Sequence, residues 1–522
     1  SVATGGGTAV GGSITVADIN NDLDARISGG MYTNIKTADA ESLLATKQIT
    51  AAISTGVAVG GRGTNNAFTG AMVYNGLHNT VKAGIDGRAK VTADSIAVRA
   101  HDTTSGSAEA KPYQDLLGNY KEHQQFAEDA GVDTDGSSYY KTSDSSNGLD
   151  TAGEKVDFDG NKGSLSVGAA FVVAGSSGNA AGAAVNVANV DNDFTAALAD
   201  ATLAANSVSA EADADSLAVN VSAGVAAGSK DFGGMGSVTW QDMDNTVLAK
   251  ASDSAITADS LAVKAASNSQ AVNVAGSVAY GKTAGVGAAL AYNGLDNHIG
   301  AYLAGGSVTA KTPSTGVSVD VEGKNTGKIY GIGAAVAASQ NAAVNGTVVV
   351  NHGGSDTEAA VGEVRAENGS NTAKDTVITA AKAVKVKAES DDVRVAAAGN
   401  VSASGKVALG GAVAYNDVGG ASSGTENAKQ KTRAALVSTT LTNVKNGTVT
   451  VKAADNSTLT TVGVGVGGAG KVAVQGAAAT SLVNKAVSAE IKDSSIDKDE
   501  DKAAVVSVQA TSNSEINSTA VV

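Results

Sequence analysis

The chain has 522 residues, no Cys, 64 Gly, 2 Pro and only 3% aromatic residues, so its 42% hydrophobic share rests mainly on Ala and Val. Without Cys there is no disulfide scaffold, thiolate metal site or thiol nucleophile, and five scattered His leave little for an imidazole-based metal cluster. A formal net charge of -15 argues against nucleic acid as a partner, because that affinity is built largely from Lys and Arg.

In chain order, the first element is Val10-Gly-Gly-Ser-Ile-Thr-Val-Ala-Asp-Ile-Asn-Asn21, followed by Leu23, Ala25 and Ile27. It matches Val286-Gly-Ala-Ala-Leu-Ala-Tyr-Asn-Gly-Leu-Asp-Asn297 without a gap, which reveals an internal repeat. Copies place Asn79, Asn192, Asn245, Asn297 and Asn484 in phase with Asn21, with Ser355 substituting once and a degenerate copy at Tyr415-Asn416. The period is 52 residues from Asn245 to Asn297 and 58 from Asn21 to Asn79. Thr37 to Thr46 is helical by propensity. Aligning Asp39-Ala-Glu-Ser-Leu43 with Asp213-Ala-Asp-Ser-Leu217 makes it turn plus strand instead.

The second pattern in each period is clearest at Val91-Thr-Ala-Asp-Ser-Ile-Ala-Val-Arg-Ala100 and Ile256-Thr-Ala-Asp-Ser-Leu-Ala-Val-Lys-Ala265. Ile256, Ala258, Leu261 and Val263, then Val272, Val274, Val278 and Tyr280, alternate with a two-residue period, so each repeat reads as about five short strands. Strands this poor in bulky residues must stack on the next copy to bury enough surface. The expected fold is all-β: a parallel β-solenoid, in the form of a right-handed β-helix, with two coils of about 26 residues per period.

Asn79 and Asn192 are separated by 113 residues, and the excess defines an insertion, giving solenoid repeats over 1–102, an insertion over 103–163 and solenoid repeats over 164–522. Pro112 at a first helical turn, then Tyr113, Leu116, Leu117, Tyr120 and Ala127, predict a helix over 112–130 and hence a partly helical insertion. The insertion holds a third of the chain's Trp, Tyr and Phe, so Tyr113, Tyr120, Phe126, Tyr139 and Tyr140 form the candidate contact surface. Burial of these rings against the solenoid is the competing reading. Smaller excursions fall at Asp231 to Gly236, Gly419 to Lys431 and Asp497 to Lys502.

The phased Asn21, Asn79, Asn192, Asn245, Asn297 and Asn484 are read as a structural amide ladder rather than a repeated ligand site, since stacked Asn side chains satisfy one another. Calcium has two weak candidate places, Asp133-Thr-Asp-Gly136 and the group Asp497, Asp499, Glu500 and Asp501; the first lacks the rest of a calcium loop. Glycosidic cleavage needs two positioned carboxylates, and neither the repeated Asp94, Asp213 and Asp259 nor Glu122, Glu128, Asp129, Asp133 and Asp135 of the insertion have diagnostic spacing. His78, His298 and His352 read as exposed turn residues with no triad partner. Val462-Gly-Val-Gly-Val-Gly-Gly468 lacks the Lys and Ser/Thr of a phosphate loop. No catalytic residue, cofactor site or metal site is assigned.

The units Gly410-Gly-Ala-Val-Ala-Tyr-Asn416 and Val278-Ala-Tyr-Gly-Lys-Thr-Ala-Gly-Val-Gly-Ala-Ala-Leu-Ala-Tyr-Asn293 resemble those of bacterial filamentous adhesins of the leukotoxin and filamentous-haemagglutinin type. The resemblance covers most of the chain except the insertion. It implies a β-helical shaft exported by type V secretion, in the manner of an autotransporter, and displayed at the bacterial cell surface or released. The expected function is therefore a non-enzymatic adhesin shaft. The alternatives are a self-assembling extracellular filament subunit and, behind it, a β-helical enzyme acting on polysaccharide. Partners would be host or bacterial cell-surface molecules or further copies of the chain; an outer membrane would be reached only through another part of the protein. No apolar run approaches the roughly 18 residues of a membrane helix, and the aromatic girdles of an outer-membrane barrel are missing. Ser1 and Val522 fall at one phase of the repeat, so continuation by like units at both ends is expected.

Overall fold

A computed structural model describes residues 1–5, 7–44, 48–60, 66–102, 150–151, 154–155, 163–365, 371–419, 430–444, 447–498 and 504–522. Within these residues the chain is strand and turn with no helix, wound into a parallel β-solenoid. The helix expected over 112–130 lies outside the described residues. Short antiparallel pairs occur only off the main sheet, at Asp150–Thr151 with Glu154–Lys155 and at Glu363–Arg365 with Asn371–Ala373.

Register sets the coil length. Asn192 pairs with Asn245, Asn245 with Asn297, and Ser216 with Ser269, so each residue's neighbour along the axis is a full period away. One period is thus one coil, not two of about 26 residues, and eight coils stack. The strands are also longer than expected: Phe232–Ala258 and Ala284–Ala310 span 27 residues each, because the parallel ladder keeps its register around bends, skipping only Asp253 and Gly305. Where the chain must reverse sharply, it uses residues that tolerate the left-handed region. Asp200 (φ 49), Asp253 (φ 52) and Gly305 (φ 75) occupy one such corner in successive coils.

The segment from Thr37 is strand, within Met31–Leu43. Its phase differs from the sequence alignment: Thr37 and Ser207 both pair with Ser95, so Asp39 stands level with Ser209, and it is Leu43 that stands level with Asp213, through His101. Matching on Asp-x-x-Ser-Leu slid the first coil by four residues.

Each coil has two lobes of opposite polarity. In the first, apolar side chains point inward and stack in columns such as Val91, Leu203, Ile256, Val308, Ile378 and Leu441, all within one continuous core. Polar groups such as Ser209 and Glu211 alternate outward between them.

The second lobe is a thin wedge of two facing sheets, and it reverses this rule. In the wedge part of Ser207–Gly228 the inward residues are Asn220, Ser222, Gly224 and Ala226, whereas Val221 and Val225 point outward. Of the apolar run Val272, Val274, Val278 and Tyr280, Val272 is buried and the other three face out, with Val278 and Tyr280 42% and 43% exposed. Steric room explains the inversion, because a Cβ on inward Gly224 would lie 2.0 Å from Met235 and one on inward Gly182 2.5 Å from Val172. Larger inward side chains stand where they face a glycine, as Val172 faces Gly182, Met235 faces Gly224 and Val349 faces Gly333, and elsewhere mostly Gly, Ala, Ser and Asn line the gap.

Two outward columns of the wedge run its full length. On the first sheet Val2, Val57, Val173, Val225, Val278, Val336, Val401 and Val466 stand in one line. On the second, Gly12, Gly70, Ala183, Gly236, Ala288, Gly346, Gly411 and Gly476 do so.

Candidate functional site

Where the two lobes meet, the solenoid has a buried polar waist. Asn21 donates through Nδ2 to Oδ1 of Asn79 at 2.8 Å, Asn79 to Asn192 at 2.8 Å, Asn192 to Asn245 at 2.6 Å and Asn245 to Asn297 at 2.8 Å. The second of these bonds joins residues on either side of the insertion, so the amide column crosses it without a break. Cross-links tie the column to the opposite wall, from Asn79 to Ser164 at 3.1 Å, from Asn245 to Ser269 at 3.0 Å and from Asn297 to Asn325 at 2.8 Å. A second ladder, four residues earlier, joins Asn293, Asn351 and Asn416 at 2.7 and 2.8 Å; the degenerate Tyr415-Asn416 copy belongs to it.

Asn484 is not in the ladder. Gln430, which stands level with Ser355, pairs with Lys485, and Asn484 lies one residue off, with its side chain outward. Val487, Ala489 and Ile491 pack against the core, and that odd-numbered alternation also turns Lys485 inward.

Toward the C-terminus the waist thus changes from neutral amides to charges. Asp455, fully buried, accepts from Lys485 Nζ at 2.7 Å, Gln430 Nε2 at 3.0 Å, Thr432 Oγ1 at 2.8 Å and Ser457 Oγ at 3.2 Å. Gln430 Nε2 also reaches Asp392 at 2.6 Å. Burial pushes the Asp392 carboxyl up, while Arg394 and its hydrogen bonds oppose the shift. The buried Arg394 donates to the Asp417 carbonyl, and burial draws its pKa down from the ordinary arginine value. His352 sits at the edge of this group, its Nδ1 3.0 Å from Asp417, and that hydrogen bond raises its pKa. This charged cluster escaped the sequence reading; the inward parity of Lys485 was the available signal.

At the other end Asp102 is buried where the chain leaves for the insertion. It accepts from the backbone N–H of Asp215 at 2.9 Å and from Ser164 at 3.1 Å, and burial holds its pKa well above the ordinary carboxyl value. Asp191, Asp244 and Asp296 form an outward column, in which burial and the two neighbouring charges push Asp244 up to about 6. His78 and His298 lie within strands Asn66–Asp86 and Ala284–Ala310 rather than in turns, and burial lowers the pKa of His298.

The remaining sequence candidates separate by location. Tyr113, Tyr120, Phe126, Tyr139 and Tyr140 lie outside the described residues, as do Asp133, Asp135, Asp499, Glu500 and Asp501. Asp497 lies in the edge strand Ser495–Lys498. Among the described residues the exposed aromatics Phe68, Phe171, Trp240 and Tyr280 lie on the wedge and Tyr32 on the other lobe, and Trp240 and Tyr292 of adjacent coils stack with ring centroids 3.9 Å apart at 17°. Chemically, the ladder amides are bonded to one another along the axis and fix coil register, while Arg394 Nε and Nη2, Asp392 Oδ1 and Gln430 Oε1 are buried without a hydrogen-bond partner among the described residues.

No family model, curated protein or solved structure matches the chain.

Proposed function

We propose that the chain is the rigid shaft of a bacterial cell-surface or extracellular adhesin, non-enzymatic and exported by type V secretion. The supporting observation is the parallel register that stacks eight coils among the described residues, with local shifts at Tyr32/Ile35, Val317/Ser318 and Leu441/Val444, carried past the insertion by the Asn79 to Asn192 hydrogen bond. Each coil adds about 4.8 Å along the axis, so sequence length becomes reach. The insertion interrupts this register without disturbing it: His101 stands opposite Asp213 and Ser164 opposite Ser216, which leaves Asp102 and Gly163 to fill the two intervening positions. Contact surfaces carried on such an excursion are presented by the shaft without being part of it.

Excising 103–162 tests this directly. The shortened chain is expected to keep its β-sheet circular dichroism and melting temperature, while capture of host or bacterial cells by the immobilised protein falls to background. Undiminished capture would remove the insertion as the contact surface, and no capture by either form would remove the adhesin reading.

A further inference from the structure

The two outer faces of the wedge are apolar from the first coil to the last. Four outward columns on each sheet, those beginning at Ile53, Thr55, Val57 and Val59 and at Val10, Gly12, Ile14 and Val16, carry no charged residue in any coil. Eight coils at about 4.8 Å and four columns about 7 Å apart give each face roughly 900 Å². A stable interface needs about 800 Å² per partner, and exposed apolar patches above a few hundred Å² mark interaction sites.

The relief of the two faces is complementary. The valine column is a ridge, with Val225, Val278 and Val401 42–43% exposed, flanked mostly by Ala and Gly such as Ala223 and Ala227 and widened at two coils by Phe171 and Tyr280. The glycine column is a groove, walled by bulkier columns such as Val344 and Val348 or Leu409 and Val413. The chain's own packing does not require these glycines. A Cβ at Gly236, Gly346, Gly411 or Gly476 would meet nothing within 4 Å, and their φ angles are not positive. Glycine inside a strand costs stability, and one use that offsets the cost is close approach of another backbone.

We infer that copies of this chain pack side by side, the valine ridge of one seated in the glycine groove of the next. Because ridge and groove lie on different faces, the contact is heterologous and leaves a free ridge and a free groove after each addition, so association is open-ended. A lipid occupant fits less well. The leading edge of the wedge is a turn bearing Lys230, Lys282, Lys406 and Lys471, which would enter the bilayer first. The inference is independent of the adhesin reading, since it concerns the wedge and not the insertion.

Sedimentation equilibrium on three chains decides it. The unaltered chain is expected to show a weight-average mass that climbs with concentration beyond twice its 50.9 kDa. A ridge variant, Val278→Glu with Val401→Glu, and a groove variant, Gly346→Phe with Gly411→Phe, are each expected to remain monomeric with unaltered circular dichroism. Mixed, they should form a capped 1:1 dimer, because the first retains its groove and the second its ridge. A monomeric unaltered chain overturns the inference, as does growth that both variants leave intact, which would mark end-to-end stacking. Flotation of the unaltered monomer with phospholipid vesicles would assign the faces to lipid and overturn it equally.

Discussion

Replacing Asp455 by Ala is expected to cost about 3–5 kcal/mol, the usual penalty for stranding one member of a buried ion pair. Asp455 is fully buried, and its loss leaves Lys485 Nζ, whose side chain is 6% exposed, without its carboxylate at 2.7 Å and frees donors on Gln430 and Thr432. Urea midpoints give the comparison. A double variant, Asp455→Ala with Lys485→Met, should recover much of the loss, because an apolar pair in place of buried charges is often neutral. A single variant as stable as the parent would show that Lys485 escapes to solvent when its partner is removed.

The second large effect is expected at the amide ladder. Asn245→Asp keeps the shape but removes the Nδ2 donor that serves Asn297 at 2.8 Å and Ser269 at 3.0 Å. It also brings a carboxylate against Oδ1 of Asn297. An orphaned buried acceptor costs about 1–3 kcal/mol, and desolvation of the new charge adds to it, so a loss of about 3 kcal/mol or more at neutral pH is expected. The same change at Asn484, one residue off the ladder and outward, should lie within about 0.5 kcal/mol of the parent. Equal effects at the two sites would mean that phase does not govern the role of these asparagines.

Much of the architecture was legible because a repeat constrains every level at once. The phase of Asn21, Asn79, Asn192, Asn245 and Asn297 carried the period, the inward face of one lobe and the location of the insertion. The number of coils per period was not legible, since a repeat length is compatible with one large turn or two small ones; only the pairing of Asn245 with Asn297 decides between them. Asn484 misled because adjacent Asn and Lys both suit the pattern, and the packing of Val487 and Ala489 chooses Lys485. The wedge was hidden for a different reason. Hydropathy places Val225 inside and Asn220 outside, and the opposite holds because the two sheets approach closely, leaving room for Val172 and Met235 only where they face Gly182 and Gly224. A pattern of alternation states that two faces differ, and sterics then decide which is buried.

One repeat equals one coil of the stacked solenoid. Small-angle X-ray scattering from a chain lacking 193–297, with Asn192 joined to His298, tests it most directly, since this removes two periods between ladder positions. The expected result is a folded rod about 10 Å shorter, two coils at about 4.8 Å each, with an unchanged cross-sectional radius. A rod shortened by about twice that amount would mean two coils per period, and an unfolded chain would mean that the coils are not interchangeable units of a shaft; either result would contradict the account.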